Sequence, residues 1–420
     1  MPTRGPHRLR FDLLCLFAVL LVAACTNPLR VSTPGSGGIT NSGGAVGTGG
    51  VPGSAGGGGG TSTEGGGGTT TAGGGGSTST GGTASSAGST GTTTTVVSIC
   101  PSDVDTQTDN NNCGACGAAC TALAPSTAEC TAGRCLVTLA SGQFLAFGVA
   151  VDATSVYWTS ESNRTVMKVP LGGGAPITLA SGPDMPQGIA VDGASVYWTT
   201  LNVGYVMKVP LGGGPATVLA TDERSCQGIV VSATNVYWTA LYSGLIMKVP
   251  RDGGNPTMLA SGQSLPTSIA VDARHVYWPS RGDGTVMKLP LAGGVPVELA
   301  AGQDAPNGIA VDVASVYWTD FGDSTTYTAR FGSVMKVPLD GGEPITLAAN
   351  LGHPNFLAVD ATDVYWTDYG DGTVMKVPLD GGTPMVLASG QLSPAGIAVD
   401  ATSVTWVNED GGTVMRLTPK

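Results

Sequence analysis

The seven tryptophans of the chain recur at a nearly constant spacing. They are 40 residues apart at every step except one, where the interval is 48 residues. They stand at Trp158, Trp198, Trp238, Trp278, Trp318, Trp366 and Trp406. A repeat of this length is typical of a four-stranded propeller blade. The spacing therefore predicts that the C-terminal two-thirds of the chain builds several copies of one blade.

Each repeat contains four short apolar runs separated by turn-forming sequences. In the sixth repeat the runs read "FLAVD", "VYWTD", "GTVMKVP" and "PMVLASG". They are rich in β-branched and aromatic residues and too short for typical helices, so we expect four strands per repeat. We interpret the tryptophan as a packing element between blades and expect the lysine of "VMKVP" to lay its apolar stem on the same surface.

The two ends of the repeat region complement each other. The last repeat stops at "GTVMRLTPK" without a fourth run, and "LVTLASG" (Leu136 to Gly142) precedes the first repeat. Pairing these segments would close a ring and leave no free edge there. The predicted fold is therefore all-β, a seven-bladed β-propeller over residues 136–420 that is closed by an N-terminal strand.

The repeats also resemble known families. "YWTD" occurs at Tyr317 to Asp320 and at Tyr365 to Asp368, and variants of "GIAVD" precede it. Residues 136–420 thus resemble the YWTD and NHL propeller families, although YWTD propellers usually have six blades. The resemblance implies a propeller fold. Propellers of this kind include protein-binding modules, lactonases and lyases, so it implies no single activity.

The N-terminus has the pattern of an export signal. Three arginines precede the short apolar run Leu13 to Ala24, which predicts a signal peptide over residues 1–24. "VAAC" (Val22 to Cys25) resembles the lipobox of bacterial lipoproteins, which implies lipidation of Cys25; simple cleavage after Ala24 is the alternative. Thr26 rather than aspartate follows. We therefore expect a lipid-anchored protein of the bacterial cell envelope, at the outer membrane or cell surface.

Residues 25–98 form a segment of low complexity. Glu64 is the only charged residue between Val31 and Ser102, and most of the rest are Gly, Thr, Ser and Ala. Such a composition buries too little apolar surface to offset the entropy of ordering, so we predict a flexible linker.

Six cysteines cluster in residues 99–135, just before the repeats. They are Cys100, Cys113, Cys116, Cys120, Cys130 and Cys135. An even number of cysteines in an exported segment predicts disulfides, although the sequence leaves the connectivity open. Zinc is the alternative, but no histidine lies within the cluster. The spacing resembles the cysteine-rich motif of Stig1-type proteins, which implies extracellular context. Cys226 is left over.

The charge of the chain excludes some partners. The net charge is −11 and no basic cluster occurs. We therefore expect no nucleic-acid partner and no electrostatic binding to an anionic membrane surface.

The residue that precedes each copy of "GIAVD" should approach the mouth of the central channel. These residues are Phe147, Gln187, Gln227, Thr267, Asn307, Asn355 and Ala395. Gln187, Gln227, Asn307 and Asn355 carry amides, which suit sugars or a peptide backbone, so we predict that these four bind ligand. The alternative is that they satisfy neighbouring backbone groups.

The fifth repeat carries an eight-residue insertion within "DFGDSTTYTARFGS". It adds Tyr327 and Arg330, two residue types favoured at binding hot spots, so both are further candidates for ligand binding. The same face carries varied charges, namely Glu161, Arg164, Asp184, Glu223, Arg224, Arg281, Asp283 and Glu409.

Catalytic groups are few. After removal of the leader only His275 and His353 remain as histidines, and His275 falls on the opposite face. We therefore predict a surface-tethered module that binds a protein or carbohydrate ligand, with no cofactor and no metal. The alternative is a propeller-type lyase or hydrolase, lactonase-like, in which His353 acts with Asp304 or Asp184 and a metal ion. A third reading is a passive envelope protein.

Overall fold

A computed structural model describes residues 105–115, 119–120, 128–182, 184–221, 225–322 and 331–420. The predicted leader, the predicted lipidation site Cys25, the predicted linker, and the cysteines Cys100 and Cys116 lie outside these residues. So do Tyr327 and Arg330.

The described residues contain 29 strands. Two strands precede the repeats: β1 (Ala128–Thr131) and β2 (Arg134–Ala140). Blade 1 contains β3 (Ala146–Val151), β4 (Ser155–Ser160), β5 (Thr165–Pro170) and β6 (Ile177–Ser181). Blade 2 contains β7 (Pro186–Val191), β8 (Ser195–Thr200), β9 (Val206–Pro210) and β10 (Thr217–Ala220). Blade 3 contains β11 (Cys226–Val231), β12 (Asn235–Ala240), β13 (Leu245–Pro250) and β14 (Thr257–Ala260). Blade 4 contains β15 (Ala270–Val271), β16 (His275–Ser280), β17 (Thr285–Pro290) and β18 (Val297–Ala300). Blade 5 contains β19 (Pro306–Val311), β20 (Ser315–Asp320), β21 (Gly332–Pro338) and β22 (Ile345–Leu351). Blade 6 contains β23 (Pro354–Val359), β24 (Asp363–Asp368), β25 (Thr373–Pro378) and β26 (Met385–Ala388). Blade 7 contains β27 (Pro394–Val399), β28 (Val404–Asn408), β29 (Thr413–Thr418) and, from the N-terminal side, β2.

The seven blades are antiparallel sheets arranged in a closed ring. The innermost strands, β3, β7, β11, β15, β19, β23 and β27, contact one another in that order, and β27 contacts β3. They surround the central channel. The predicted seven-bladed propeller is confirmed.

The N-terminal strand closes the ring as predicted. β2 pairs antiparallel with β29, with Leu136 opposite Leu417 and Ala140 opposite Val414. The strand begins two residues earlier than the sequence indicated, because Arg134 and Cys135 also pair with the hairpin partner β1. β1 makes blade 7 a five-stranded sheet, a feature that the sequence did not predict.

Aromatic side chains fill the seven interfaces between blades. Successive residues of a strand face opposite sides of its sheet, so the tyrosine and tryptophan of each "YW" pair enter different interfaces. Tyr197 of blade 2 and Trp238 of blade 3, for example, belong to one apolar cluster. Trp238 is fully buried. The tryptophan therefore has the packing role that its repetition predicted.

The repeated lysine does more than cover apolar surface. Lys168 Nζ donates a hydrogen bond of 2.6 Å to the carbonyl of Leu211 in the next blade. Equivalent bonds leave Lys208, Lys288 and Lys336. In blade 7 an arginine, Arg416, takes this place and donates to the carbonyl of Leu171 in blade 1. The same interaction thus spans the point where the ring closes.

Within the described ranges, no helix has the length and apolar character needed to cross a membrane.

Candidate functional site

The central channel is narrow. It holds a cavity of about 150 Å³, lined in part by Gly188, Ile229 and Leu357. Ligand pockets for drug-sized molecules usually measure about 300–1,000 Å³. The channel can therefore admit water or a very small group, and a larger ligand would contact only its mouth.

Hydrogen bonds between blades stiffen the upper end of the channel. Thr159 Oγ1 accepts from the N–H of Gly148 and donates to the carbonyl of Gln187 in the next blade, at 2.9 and 2.6 Å. The threonines of four other blades donate in the same way. In blade 4 a proline, Pro279, stands at this position, and Thr267 Oγ1 instead donates to the carbonyl of Asn307. The mouth thus rests on a rigid frame.

Two of the predicted amides bind each other. Asn307 Nδ2 donates to Oδ1 of Asn355 at 2.6 Å and lies 3.3 Å from its carbonyl oxygen. Asn307 is 6% exposed and Asn355 is 7% exposed. In this arrangement the two amides connect blades 5 and 6, which is the alternative role considered for them.

The two glutamines have different surroundings. Gln187 is buried, and its Nε2 donates a hydrogen bond to the carboxylate of Glu161. Gln227 lines the channel cavity, and its Oε1 is buried with no hydrogen-bond partner among the described residues. The structure therefore brings Gln187 to an acidic neighbour and leaves Gln227 with an open acceptor in the channel.

Seven residues at equivalent positions surround the channel mouth. Each is the third residue after a blade tryptophan. Its backbone N–H donates a hydrogen bond to a carbonyl at the start of the same blade, two residues before the predicted channel-mouth residue. In blade 1, for example, the N–H of Glu161 donates to the carbonyl of Leu145 at 3.0 Å. We call this set the mouth ring: Glu161, Leu201, Leu241, Arg281, Phe321, Tyr369 and Glu409. The backbone geometry is shared, whereas the side chains differ from blade to blade.

Glu161 and Glu409 are neighbours in the mouth ring, because blade 7 lies beside blade 1. Burial, together with the nearby charges of Glu161 and Asp410, raises the pKa of Glu409 to about 8. Burial raises the pKa of Glu161 to about 7, although its hydrogen bond from Gln187 opposes the change. Glu409 is only 4% exposed. Glu409, which is buried, and Glu161, which is partly buried, thus form an acidic pair whose pKa values are raised toward neutral pH.

The opposite part of the mouth ring carries a stack of three side chains. The guanidinium carbon of Arg281 lies 5.0 Å from the ring centroid of Phe321. The Phe321 ring in turn lies 4.9 Å from the His353 ring. His353 is 2% exposed. The histidine considered for catalysis is therefore covered by Phe321 rather than open to the mouth.

Asp320 and Asp368, in blades 5 and 6, are buried carboxylates that accept hydrogen bonds from the protein. Asp368 accepts hydrogen bonds from the N–H groups of Gly352 and His353, at 2.9 and 2.8 Å. Burial raises the pKa of Asp320 to about 7, with Asp304 adding to the rise. Asp184 is half-buried at the start of blade 2.

The cysteine-rich segment contains two disulfides in the described residues. Cys113 pairs with Cys130, and Cys120 pairs with Cys135, with Cα atoms 5.5 and 5.3 Å apart. Disulfides in this segment are therefore confirmed for these four residues. Although three of the sulfur atoms lie within 4.8 Å of one another, each belongs to a disulfide and is not a thiolate available to zinc. Cys226 is a buried thiol at the start of β11.

The mouth ring was only partly visible in the sequence. Glu161, Arg281 and Glu409 were noted as varied charges, but Leu201 and Tyr369 were not. A signal was present, since all seven residues stand three positions after a tryptophan.

Comparison with protein-family models and with curated proteins gives no match. Solved structures similar to this chain include virginiamycin B lyase from Staphylococcus aureus, with 14% identity and a TM-score of 0.58. A second is a streptogramin B lyase, with 14% identity and a TM-score of 0.59. Each alignment covers 68% of this chain and 98% of the lyase. The computationally designed Ika8 protein shares 16% identity at a TM-score of 0.51, over 67% of this chain and 98% of its own. At these identities the similarity establishes the fold alone.

Proposed function

We propose that this protein is a binding module whose propeller presents the mouth ring to a protein or glycan ligand. The observation that carries the proposal is the variation within the ring. Seven positions share one backbone hydrogen bond, yet they carry two acids, two leucines, an arginine and two aromatic residues. A ring that served packing alone would need no such diversity.

The composition of the ring fits a recognition surface. Arginine and tyrosine, here Arg281 and Tyr369, are enriched at binding hot spots. The frame beneath them is tied together by hydrogen bonds between blades, so the surface loses little entropy on binding. Because the channel cavity is too small for a large ligand, contact would occur across the mouth and its surrounding turns.

We propose further that the protein is held in the cell envelope by a lipid on Cys25. The support is the sequence "VAAC" at the end of the apolar run. Metabolic labelling with an acyl precursor should mark the protein, and Cys25→Ser should abolish both the label and its retention in the membrane fraction. A Cys25→Ser protein that remains in that fraction would contradict lipid anchoring.

The binding proposal is tested by a comparison of two faces of one blade. Arg281 belongs to the mouth ring, whereas Arg274 is exposed in the turn between β15 and β16 at the other face. The purified protein is used to capture secreted proteins and to probe a glycan array. A ligand of the mouth ring should be lost with Arg281→Ala and Tyr369→Ala but retained with Arg274→Ala.

Two results would contradict the proposal. One is that no retained ligand depends on the mouth ring. The other is turnover of a small substrate without any retained macromolecule.

A propeller-type lyase or hydrolase is the second candidate function. The pKa values of Glu161 and Glu409 are raised to about 7 and about 8, which suits general acid–base chemistry. A catalytically inactive variant of virginiamycin B lyase with quinupristin is among the similar structures. Incubation of this protein with quinupristin and Mg²⁺ tests the candidate. Cleavage that disappears in Glu409→Gln would support it over the binding module.

A further inference from the structure

The acidic pair of the mouth ring contains a buried side chain to which the described residues offer no partner. Glu409 is 4% exposed, and the described residues supply its carboxylate with no hydrogen bond and no ion pair. Glu161 receives one hydrogen bond, from Gln187, and likewise no ion pair. Buried polar groups in native proteins almost always have a partner, and the exceptions point to an absent water, ion or ligand.

Protonation alone does not satisfy the pair. A protonated Glu409 could share its proton with Glu161, but the other carboxyl oxygen of Glu409 would still have no hydrogen-bond donor among the described residues. An ionised Glu409 would face the charge of Glu161, and the neighbouring Asp410 adds to the repulsion. A positively charged group between the two carboxylates would remove both problems, because it attracts each and donates hydrogen bonds to each.

The surroundings favour an organic cation over a metal ion. Calcium and magnesium prefer several oxygen ligands, yet among the described residues the only group of three or more acidic, histidine or cysteine side chains close enough to share an ion is the disulfide cluster. The neighbours of the pair in the mouth ring are Tyr369 on one side and Leu201 on the other. An aromatic face and an apolar side chain suit an alkylammonium group with its hydrocarbon stem.

We infer that the carboxylates of Glu161 and Glu409 together bind a primary ammonium group, and that the ligand of the mouth ring is a protein that presents a lysine side chain to them. The inference rests on the proposed binding function and names its chemistry. A lysine is favoured over a glycan because neutral sugars would leave both acids without a counter-charge. Gln187, which already binds Glu161, would fix the orientation of that carboxylate.

The test uses the full-length protein and two matched small probes. Nα-acetyl-lysine N-methylamide carries the ammonium group, and Nα-acetyl-norleucine N-methylamide has nearly the same stem without charge. Binding is followed by calorimetry and by the methyl NMR signals of Leu201. We expect the lysine probe to bind at least tenfold more tightly than the norleucine probe and to shift the Leu201 signals.

Three variants localise the binding. Glu409→Gln and Glu161→Gln should each weaken the lysine probe at least fivefold, because each removes one carboxylate while keeping the side-chain shape. Glu298→Gln, the same change on the exposed outer strand β18, should leave binding unchanged. The methyl NMR spectrum reports whether each variant is folded, and either variant of the pair suffices for the test.

The inference fails if the two probes bind equally, or if Glu409→Gln and Glu161→Gln both bind the lysine probe like the unmodified protein. It also fails if Ca²⁺ binds at this site and the lysine probe does not. A macromolecular ligand that needs Arg281 but is unaffected by Glu409→Gln would sink this inference and leave the binding function standing. If the lysine probe binds as expected but no macromolecular ligand depends on the mouth ring, this inference stands and the proposed binding function fails.

Discussion

Replacing one buried valine of the closing strand provides a direct measure of how the ring is held together. Val137 of β2 and Val297 of β18 occupy the same register in their sheets, opposite Arg416 and Lys288. Val137 is 2% exposed, however, and Val297 is 49% exposed. The difference arises because β1 covers the outer side of β2, with Ala128 directly opposite Val137.

The same substitution should therefore have very different costs at the two sites. Val137→Ala removes two buried carbon groups, each worth about 0.8 kcal/mol, and leaves a small cavity, so unfolding should become easier by about 2 kcal/mol. Val297→Ala removes two methyl groups that are about half exposed. Apart from the loss of β-propensity, which both substitutions share, it should lower the free energy of unfolding by no more than about 0.5 kcal/mol. For a domain of this size the larger cost lowers the melting temperature by about 3–4 °C.

Calorimetry and urea unfolding of both variants measure the difference. Dynamic light scattering should show that both variants keep the oligomeric state of the unmodified protein, since neither change removes a strand. Equal destabilisation by the two substitutions would refute the argument, because it would mean that Val137 is not buried between β1 and the blade 1–blade 7 interface.

Two further predictions concern charge. Burial raises the pKa of Glu161 and Glu409 from 4.5 to about 7 and about 8, so the native state retains protons that the unfolded chain has released. The free energy of unfolding should therefore decrease as pH rises from 5.5 to 7.5, by up to about 1.4 kcal/mol per pH unit for each proton. Glu409→Gln should remove about half of that slope in urea titrations. An unchanged slope would contradict the raised pKa of Glu409. Lys208→Met removes a charged hydrogen bond of 2.6 Å to the carbonyl of Arg251 and should cost about 1.5–3 kcal/mol. Lys248→Met is the matched control, since the described residues show no such bond for Lys248, and equal losses in the two variants would exclude the bond as the cause.

The fold could be predicted because its information is local and repeated. The tryptophan spacing, the four apolar runs and the matching chain ends each report the blade directly. β1 escaped prediction because "AECT" (Ala128–Thr131) has no apolar pattern and forms a strand only through its partner β2. A glutamine also recurs in four repeats, 15 residues before the tryptophan, and accepts a hydrogen bond from the tryptophan Nε1. The pairs are Gln143 with Trp158, Gln263 with Trp278, Gln303 with Trp318, and Gln391 with Trp406.

The candidate site was less predictable because it depends on distant parts of the chain. The sequence indicated amides at Asn307 and Asn355, but only the structure shows that these two side chains bind each other. Likewise, Glu161 and Glu409 become neighbours only when the ring closes. Their raised pKa values reflect burial, which no spacing in the sequence reports.

The way blade 7 is assembled has a mechanical consequence. Cys120 is bonded to Cys135, and Cys135 lies opposite Thr418 at the end of β29. A pulling force that enters from the N-terminal side would reach the propeller at this cross-linked end of β2. When such a force acts along the axis of β2, it loads the hydrogen bonds of β2 to β29 together rather than one after another. Strands loaded in shear resist more force than strands that are unzipped, so the closure of the ring is strongest against a load in that direction.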